Sequence, residues 1–559
     1  MHTGIFRARQ AAVFLFFLLA LSFLAARLLY LQVFRHSFYS KIASGQHTVS
    51  IEIPPKRGAI YDRQMRVLAI NLNCDSIFAN ARVIENKPRA ARMLSSVLNL
   101  NYNFVYDRIA KDKSFVWIKR RVSPQESFRV KSMKIDGVEI MRESKRFYPN
   151  GDLACHALGT SNIDNVGLEG LELYYDKYLK GESGSLITQR DAKRKLLESY
   201  QREYIPPKNG LSLVLTIDEV IQHVAERELA RMYEKYNAAG ASIIVMDPRN
   251  GDILAFANLP DYDLNDISKR SQDAVRDRAI NDFFEPGSVF KIVAASALLE
   301  EKAISLDTVL YCENGEYRIG KRILHDHTPH GNLTFKEVIE KSSNIGTVKA
   351  ASRLGAAKMY KYMKIFGFYD KTGIDLPGEV IGMNRPLNKW SGVSMYAIPM
   401  GQEVTTTAIQ LARAIAIIAN NGYVVKPRVV KYIADEKGHP VKEFPVKTPQ
   451  KAISGETATK MRGILMGVVK TGTGKKAAIE DYNVGGKTGT AQKVEPGGKY
   501  SHDRFMASFI GFAPVEKPIL AVVVCVDEPR PVYYGGDVAA PVFKNVIDES
   551  LKYLNAKGA

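Results

Sequence analysis

Glu285-Pro286-Gly287-Ser288-Val289-Phe290-Lys291 is the stretch from which the rest of the chain can be read. Pro286-Gly287 marks a turn, and Val289 to Leu299 is predicted to be the helix that follows it. Ser288 then stands at a helix N-terminus, where unpaired N–H groups and the dipole favour developing negative charge. Lys291, three residues on, shares a face with Ser288. It is the only charged residue between Val289 and Leu299, so this helix is apolar nearly all round and reads as buried. Burial lowers a lysine's pKa toward the range of a base, and a serine one turn from such an amine is an activated nucleophile. A capping serine beside a lysine that snorkels to solvent uses the same residues. Ser-x-x-Lys alone does not choose between the two readings.

Downstream, Thr334-Phe335-Lys336-Glu337 is a capping box. Its helix runs into Ser342-Ser343-Asn344, with a second helix expected from Ile345. Small polar residues in such a break either form an ordinary turn or face inward and offer a hydroxyl and an amide. Gly485-Gly486-Lys487-Thr488-Gly489-Thr490 opens a strand. A phosphate loop would need glycine five residues before Gly486, and Asp481 stands there, which argues against nucleotide binding. On an edge strand the segment instead offers a cation, hydroxyls and a backbone that a linear peptide can pair with. Gly489 would let a ligand approach closely.

Around these motifs lies a regular alternation. Strands are predicted at Ala241–Met246 and Asp252–Asn258, joined by a hairpin-like Asp247-Pro248-Arg249-Asn250-Gly251. A mostly helical block follows, then strands at Lys487–Val494, Phe505–Phe512 and Ile519–Val526 and a closing helix near Ala540–Leu554. That order suggests an antiparallel sheet with helices packed on it. Just upstream, Leu211–Ile217 reads as a strand and Asp218–Tyr236 as a capped amphipathic helix, after a linker at Pro206-Pro207-Lys208-Asn209-Gly210. Between 35 and 210, strand-like runs (Thr48–Ile53, Val67–Ile70) mix with helical ones (Arg89–Leu98).

At the N-terminus, Ala11 to Phe34 is apolar over 24 residues, interrupted chiefly by Arg27. About 20 residues span a bilayer, so this is expected to be an uncleaved signal-anchor with Arg27 snorkelling beside Tyr30. The chain carries a net charge of +19 over 559 residues, most of it before residue 211. Such a basic face suits anionic lipid headgroups, an anionic polymer or plain solvent. No base-reading module or basic–aromatic pattern accompanies it, so nucleic acid is not expected. Cys74, Cys155, Cys312 and Cys525 form no Cys-x-x-Cys pair, which disfavours zinc and thiol-redox chemistry and leaves buried thiols or distant disulfides. His325, Asp326, His327 and His330 lie in a Pro- and Gly-bearing stretch, read as a surface loop rather than a metal centre.

Ser-x-x-Lys at 288, Ser-x-Asn at 342 and Lys-Thr-Gly at 487 occur in the order found in penicillin-binding proteins and class A β-lactamases. Arg57-Gly58-Ala59-Ile60-Tyr61-Asp62-Arg63, Gly167-Leu168-Glu169-Gly170-Leu171-Glu172 and Asp247-Pro248 through Ala255 extend the match. On these residues the chain resembles, over nearly its whole length, the class B penicillin-binding proteins, which are membrane-anchored peptidoglycan transpeptidases. One departure is Gln64-Met65, where relatives usually carry Asn-Gly.

The resemblance implies an α+β transpeptidase fold with a five-stranded antiparallel sheet flanked by helices. It divides the chain into a cytoplasmic tail (1–10), an anchor (11–34), an N-terminal pedestal (35–210) and a transpeptidase domain (211–559). It implies Ser288 as nucleophile, Lys291 as its base, and Ser342 and Lys487 as the relay to the departing amine. Asn344 would hold the donor peptide's amide, and Thr488, Gly489 and Thr490 would take its D-Ala-D-Ala end. The N–H groups of Ser288 and Thr490 would form the oxyanion hole. No cofactor and no metal are expected. Expected partners are peptidoglycan stem peptides, β-lactams, the lipid bilayer, a membrane glycosyltransferase and other division proteins. Ser342-Ser343-Asn344 and Gly401-Gln402-Glu403-Val404-Thr405 look more like the cell-division branch than the elongation branch. A D,D-carboxypeptidase and a non-catalytic β-lactam receptor are the competing readings.

Overall fold

Residues 240–527 hold five strands whose side chains alternate between two apolar layers. In a computed structural model these are β1 (Gly240–Met246), β2 (Ile253–Leu259), β3 (Gly485–Val494), β4 (Tyr500–Ala513) and β5 (Leu520–Asp527). The structure describes residues 2–111, 113–189, 203–320, 322–446, 450–495 and 497–556. The sheet order is β2-β1-β5-β4-β3, antiparallel throughout, which leaves β3 at an edge as the sequence suggested. Every residue of β1 and β2 is buried, so both faces of the sheet are covered.

Seven helices matter for the site: α1 (Glu219–Lys235), α2 (Lys291–Glu300), α3 (Phe335–Glu340), α4 (Asn344–Ser352), α5 (Ala408–Ala419), α6 (Gly455–Lys470) and α7 (Gly535–Ala556). On one face Ile243, Val245, Phe509 and Val524 pack with Ile221, Leu229, Phe543 and Ile547 of α1 and α7. On the other, Ile244, Met246, Ile510 and Val523 pack with α2, α5 and α6. All twelve residues of α5 are buried, so this helix is the centre of the second layer. Its start is fixed by a capping box between Thr407 and Gln410.

Two compact units make up the described chain: residues up to Lys56 with Gly181–Asn209, and Arg57–Lys180 with Gly210–Ala559. In the first, helix His2–Leu29 continues through a π-helical turn, Tyr30–Phe34. Gly4–Phe34 is long and apolar enough to cross a membrane, with a mean hydropathy of 2.4. Arg35 Nε donates to Tyr30 Oη at 2.9 Å, and the Arg27 guanidinium lies 5.6 Å from the same ring. Thr48–Ile53, Gly184–Gln189 and Glu203–Ile205 form a small antiparallel sheet. Residues 190–202, inside the range assigned to the pedestal, lie outside the described residues.

In the second unit the run expected at Val67–Ile70 extends to a thirteen-residue strand, Val67–Ala79, because Val138–Phe147 pairs along most of it. Two stretches noted in the sequence meet here. Arg57 Nε and Arg146 Nε grip the two oxygens of Glu172 at 2.5 and 2.6 Å, and all three side chains are almost fully buried. The turn at Gln64-Met65 is held by Asp62 Oδ1, which accepts from Gln64 N and Arg66 N. Met65 takes a φ of +64°, where a glycine would sit without strain. All four cysteines are free thiols, and Cys155, Cys312 and Cys525 are buried.

Candidate active site

The turn that carries Ser288 is braced from two sides. Gly287 has a φ of +57°, and its N–H donates to Gly401 O at 3.1 Å. A Cβ on Gly401 would lie 2.1 Å from Gly287 O, so the loop after Met400 presses backbone to backbone against this turn. On the other side, a Cβ on Gly489 of β3 would lie 2.3 Å from Ser508 Oγ, 2.8 Å from Val289 Cγ1 and 3.0 Å from Pro286 O. The missing side chain of Gly489 therefore makes room for the turn that carries Ser288. The half-buried Glu285 carboxyl adds a third brace: its Oε1 accepts from Glu403 N at 2.9 Å and Tyr500 Oη at 3.3 Å. Burial holds that carboxyl above its ordinary pKa.

The helix expected from Val289 begins as a 3₁₀ turn, Gly287–Phe290, and becomes α-helical at Lys291. In a 3₁₀ turn residues i and i+3 eclipse, so Ser288 and Lys291 stack on one face. Ser288 is half-buried, and its Oγ makes no hydrogen bond among the described residues. Lys291 is wholly buried. Its Nζ donates to Ser342 O at 2.6 Å and Asn344 Oδ1 at 2.8 Å, and lies 3.2 Å from Ser342 Oγ. A neutral amine has two hydrogens and a lone pair. With the carbonyl and the amide oxygen taking the hydrogens, the lone pair is left for a hydroxyl. Burial brings the Lys291 pKa down to about 7, against an opposing pull from Asp326.

Ser342 sits in the break between α3 and α4 with a φ of +58°, rare for a residue with a side chain. The left-handed turn aims both its carbonyl and its hydroxyl at the amines. Lys487 Nζ, also fully buried, reaches Ser342 Oγ at 2.9 Å and Thr488 O at 3.1 Å. Burial, then repulsion from Lys291, holds the Lys487 pKa well below the ordinary lysine value. Ser342 Oγ is thus shared by two amines that would otherwise repel. Asn344 Nδ2 donates to His325 O at 2.9 Å, which leaves it one further hydrogen. Thr490 Oγ1 accepts from Gly535 N at 3.1 Å, and Thr488 Oγ1 lies 2.7 Å from Thr473 Oγ1. Lys291, Ser342, Asn344, Lys487 and Thr488 are accordingly joined in one hydrogen-bonded cluster, and Gly489 packs against the turn that carries Ser288.

Asp326 was not assigned a role from the sequence. Its Oδ1 accepts from Asn344 N at 2.5 Å and Ile345 N at 3.0 Å, and its Oδ2 from Ser343 Oγ at 2.5 Å. It fixes the start of α4 and places a negative charge near Lys291. The one hint was its place in the histidine-bearing stretch, and that stretch does not converge. His325 pairs with Glu316 at 3.7 Å, while the His327 ring rests edge-on against Tyr534.

Residues 241–548 match the penicillin binding protein transpeptidase domain, and residues 52–215 match the penicillin-binding protein dimerisation domain. Stage V sporulation protein D of Bacillus subtilis is 37% identical over 99% of this chain and 86% of its own length. Peptidoglycan D,D-transpeptidase FtsI of Escherichia coli is 31% identical over 96% of this chain and 90% of its own length. Among solved structures, penicillin binding protein 3 from Mycobacterium tuberculosis complexed with aztreonam superposes with a TM-score of 0.71 at 29% identity. It covers 90% of this chain and 97% of its own.

Proposed function

This chain belongs to the class B penicillin-binding proteins, and from that premise we propose that Ser288 is the nucleophile of a peptidoglycan D,D-transpeptidase. The observation that carries the reading is the Lys291–Ser342–Lys487 cluster, two buried amines joined through one hydroxyl. Neutral Lys291 takes the Ser288 proton as Oγ attacks the carbonyl between the two D-alanines of a stem peptide. The N–H groups of Ser288 and Thr490 hold the oxyanion. Ser342 and Lys487 pass a proton to the departing D-alanine, and Asn344 orients the peptide. An amine from a neighbouring strand then resolves the acyl-enzyme into a cross-link. β-Lactams imitate the D-Ala-D-Ala end and acylate the same serine.

Residues 11–34 anchor the protein in the membrane, with residues 35–210 as pedestal and 211–559 as catalytic domain outside the cytoplasm. The division-type relative, with the Ser-x-Asn motif and the Gly401–Thr405 segment, supports a septal role alongside a separate membrane glycosyltransferase and other division proteins. Cross-linking of lipid-linked peptidoglycan in the presence of a glycosyltransferase tests the activity. Cross-linked products that vanish with Ser288→Ala are expected. Release of D-alanine without cross-links would instead identify a carboxypeptidase, and penicillin labelling with no turnover would identify a receptor.

A further inference from the structure

Away from the active site, the positive charge of the chain has a centre of its own. Residues 81–146 carry 16 Lys and Arg against 7 Asp and Glu, close to half of the net +19. Five of these cations, Arg89, Arg92, Arg129, Lys131 and Lys134, are exposed and make no ion pair among the described residues. They come from two helices. Lys87–Leu98 turns Ala90, Ala91, Leu94 and Leu98 inward and leaves Arg89 and Arg92 outside, three residues apart on one side. Pro124–Ser132 buries Ser127 and Val130 and leaves Phe128, Arg129 and Lys131 outside.

The two helices lie side by side and antiparallel. At one end Lys119 Nζ donates to Leu98 O at 2.8 Å and to Glu126 Oε1 at 2.6 Å. At the other, a Cβ on Gly137 would lie 3.2 Å from Val83 Cβ, so the segment after the second helix meets the segment before the first. Arg89 and Arg92 therefore fall beside Arg129, Lys131 and Lys134. Glu126, the one acid on either helix, is held by Lys119 and the helix cap. Glu85 and Asp136 at the loop end leave the face net positive. Phe128 projects from its middle at 73% exposed, the highest value for any large apolar side chain among the described residues.

A protein interface closes several apolar side chains into a packed core, and Phe128 has no such company. A lone ring among flexible cations suits a fluid interface, where the ring sinks to the headgroup boundary and the cations meet phosphates. The same chain carries Gly4–Phe34, long and apolar enough to cross a bilayer, which keeps headgroups at high effective concentration. Each Lys or Arg close to an anionic membrane strengthens binding by about fivefold.

We propose that the face formed by Arg89, Arg92, Phe128, Arg129, Lys131 and Lys134 docks on anionic phospholipid headgroups, a second and charge-dependent contact with the membrane besides the anchor. This rests on the anchor reading above. The test uses the full-length protein in nanodiscs of phosphatidylcholine alone and of phosphatidylcholine mixed equally with phosphatidylglycerol. Amide exchange is followed over residues 87–98 and 124–134. Exchange is expected to be about tenfold slower in the anionic discs, and high salt should erase the difference. Arg89→Gln, Arg129→Gln and Lys131→Gln together should remove it and Phe128→Ser should weaken it. Exchange in Val67–Ala79 and acylation by benzylpenicillin should stay as in wild type. Equal exchange in the two discs leaves the face to solvent or to an acidic protein and overturns the proposal. Slowing that survives the triple variant places the lipid contact elsewhere and overturns it too. A chain that washes out of the discs overturns the anchor reading and this inference with it, whereas failed acylation overturns the transpeptidase reading alone.

Discussion

Lys291 carries the pH dependence of the site. Its charged form is disfavoured by burial, and with a pKa brought down to about 7 it is a base only above that pH. The rate of Ser288 acylation by a penicillin should rise about tenfold per pH unit below 7 and level off above it. A flat profile between pH 5.5 and 9 would remove Lys291 from the role of base. Asp326 supports the charged form, so Asp326→Asn, which keeps an oxygen for Asn344 N and Ile345 N, should move the midpoint to lower pH. The same shift bears on stability with a definite sign. Between about 7 and the ordinary lysine value the unfolded chain holds a proton that the folded chain has released, so stability rises with pH across that window. Ser288 and Lys291 were legible from sequence because a lone charge in an apolar helix is conspicuous. Asp326 was not, because it acts on Ser343 at a sequence separation of 17, with no spacing rule to mark it.

At the scale of elements, the amine cluster and Ser288 are brought together because β3 and the turn at Pro286–Val289 approach closely at Gly489. Gly489→Ala should cost about 2 kcal/mol or more, since its Cβ would meet Ser508 Oγ, Val289 and backbone at once. Thermal unfolding and penicillin acylation should fall together. Gly463→Ala, in α6 with nothing within 4 Å of the added Cβ, is the contrast and should raise stability by about 0.5–1 kcal/mol. An unchanged melting temperature for the Gly489 variant would mean that the approach is looser than described. The strands and helices that carry these residues were readable from their periodicity and caps. The reason for Gly489 was not, because a glycine in a strand marks close approach without saying what approaches.

At the scale of the whole molecule, the order of two strands, a helical block, three strands and a helix was visible along the chain. The pairing of Ser212–Leu215 between Val430–Ala434 and Ile60–Tyr61 was not, because its partners lie more than 140 residues away on both sides. Glu172, gripped by Arg57 and Arg146, is a buried charge cluster within residues 57–180. Glu172→Gln leaves the buried Arg146 guanidinium without its counter-charge and Arg57 with Asp176 alone, and should cost about 3 kcal/mol, read as a lower denaturant midpoint. A midpoint within error of wild type would show that the cluster is solvated.

The convergence of Ser288, Lys291, Ser342 and Lys487 on one hydroxyl nucleophile is tested most directly by mapping the peptide that benzylpenicillin modifies. The adduct should fall on Ser288, and Ser288→Ala should carry none while still unfolding cooperatively. An adduct on any other residue, or one that persists in Ser288→Ala, would contradict the account.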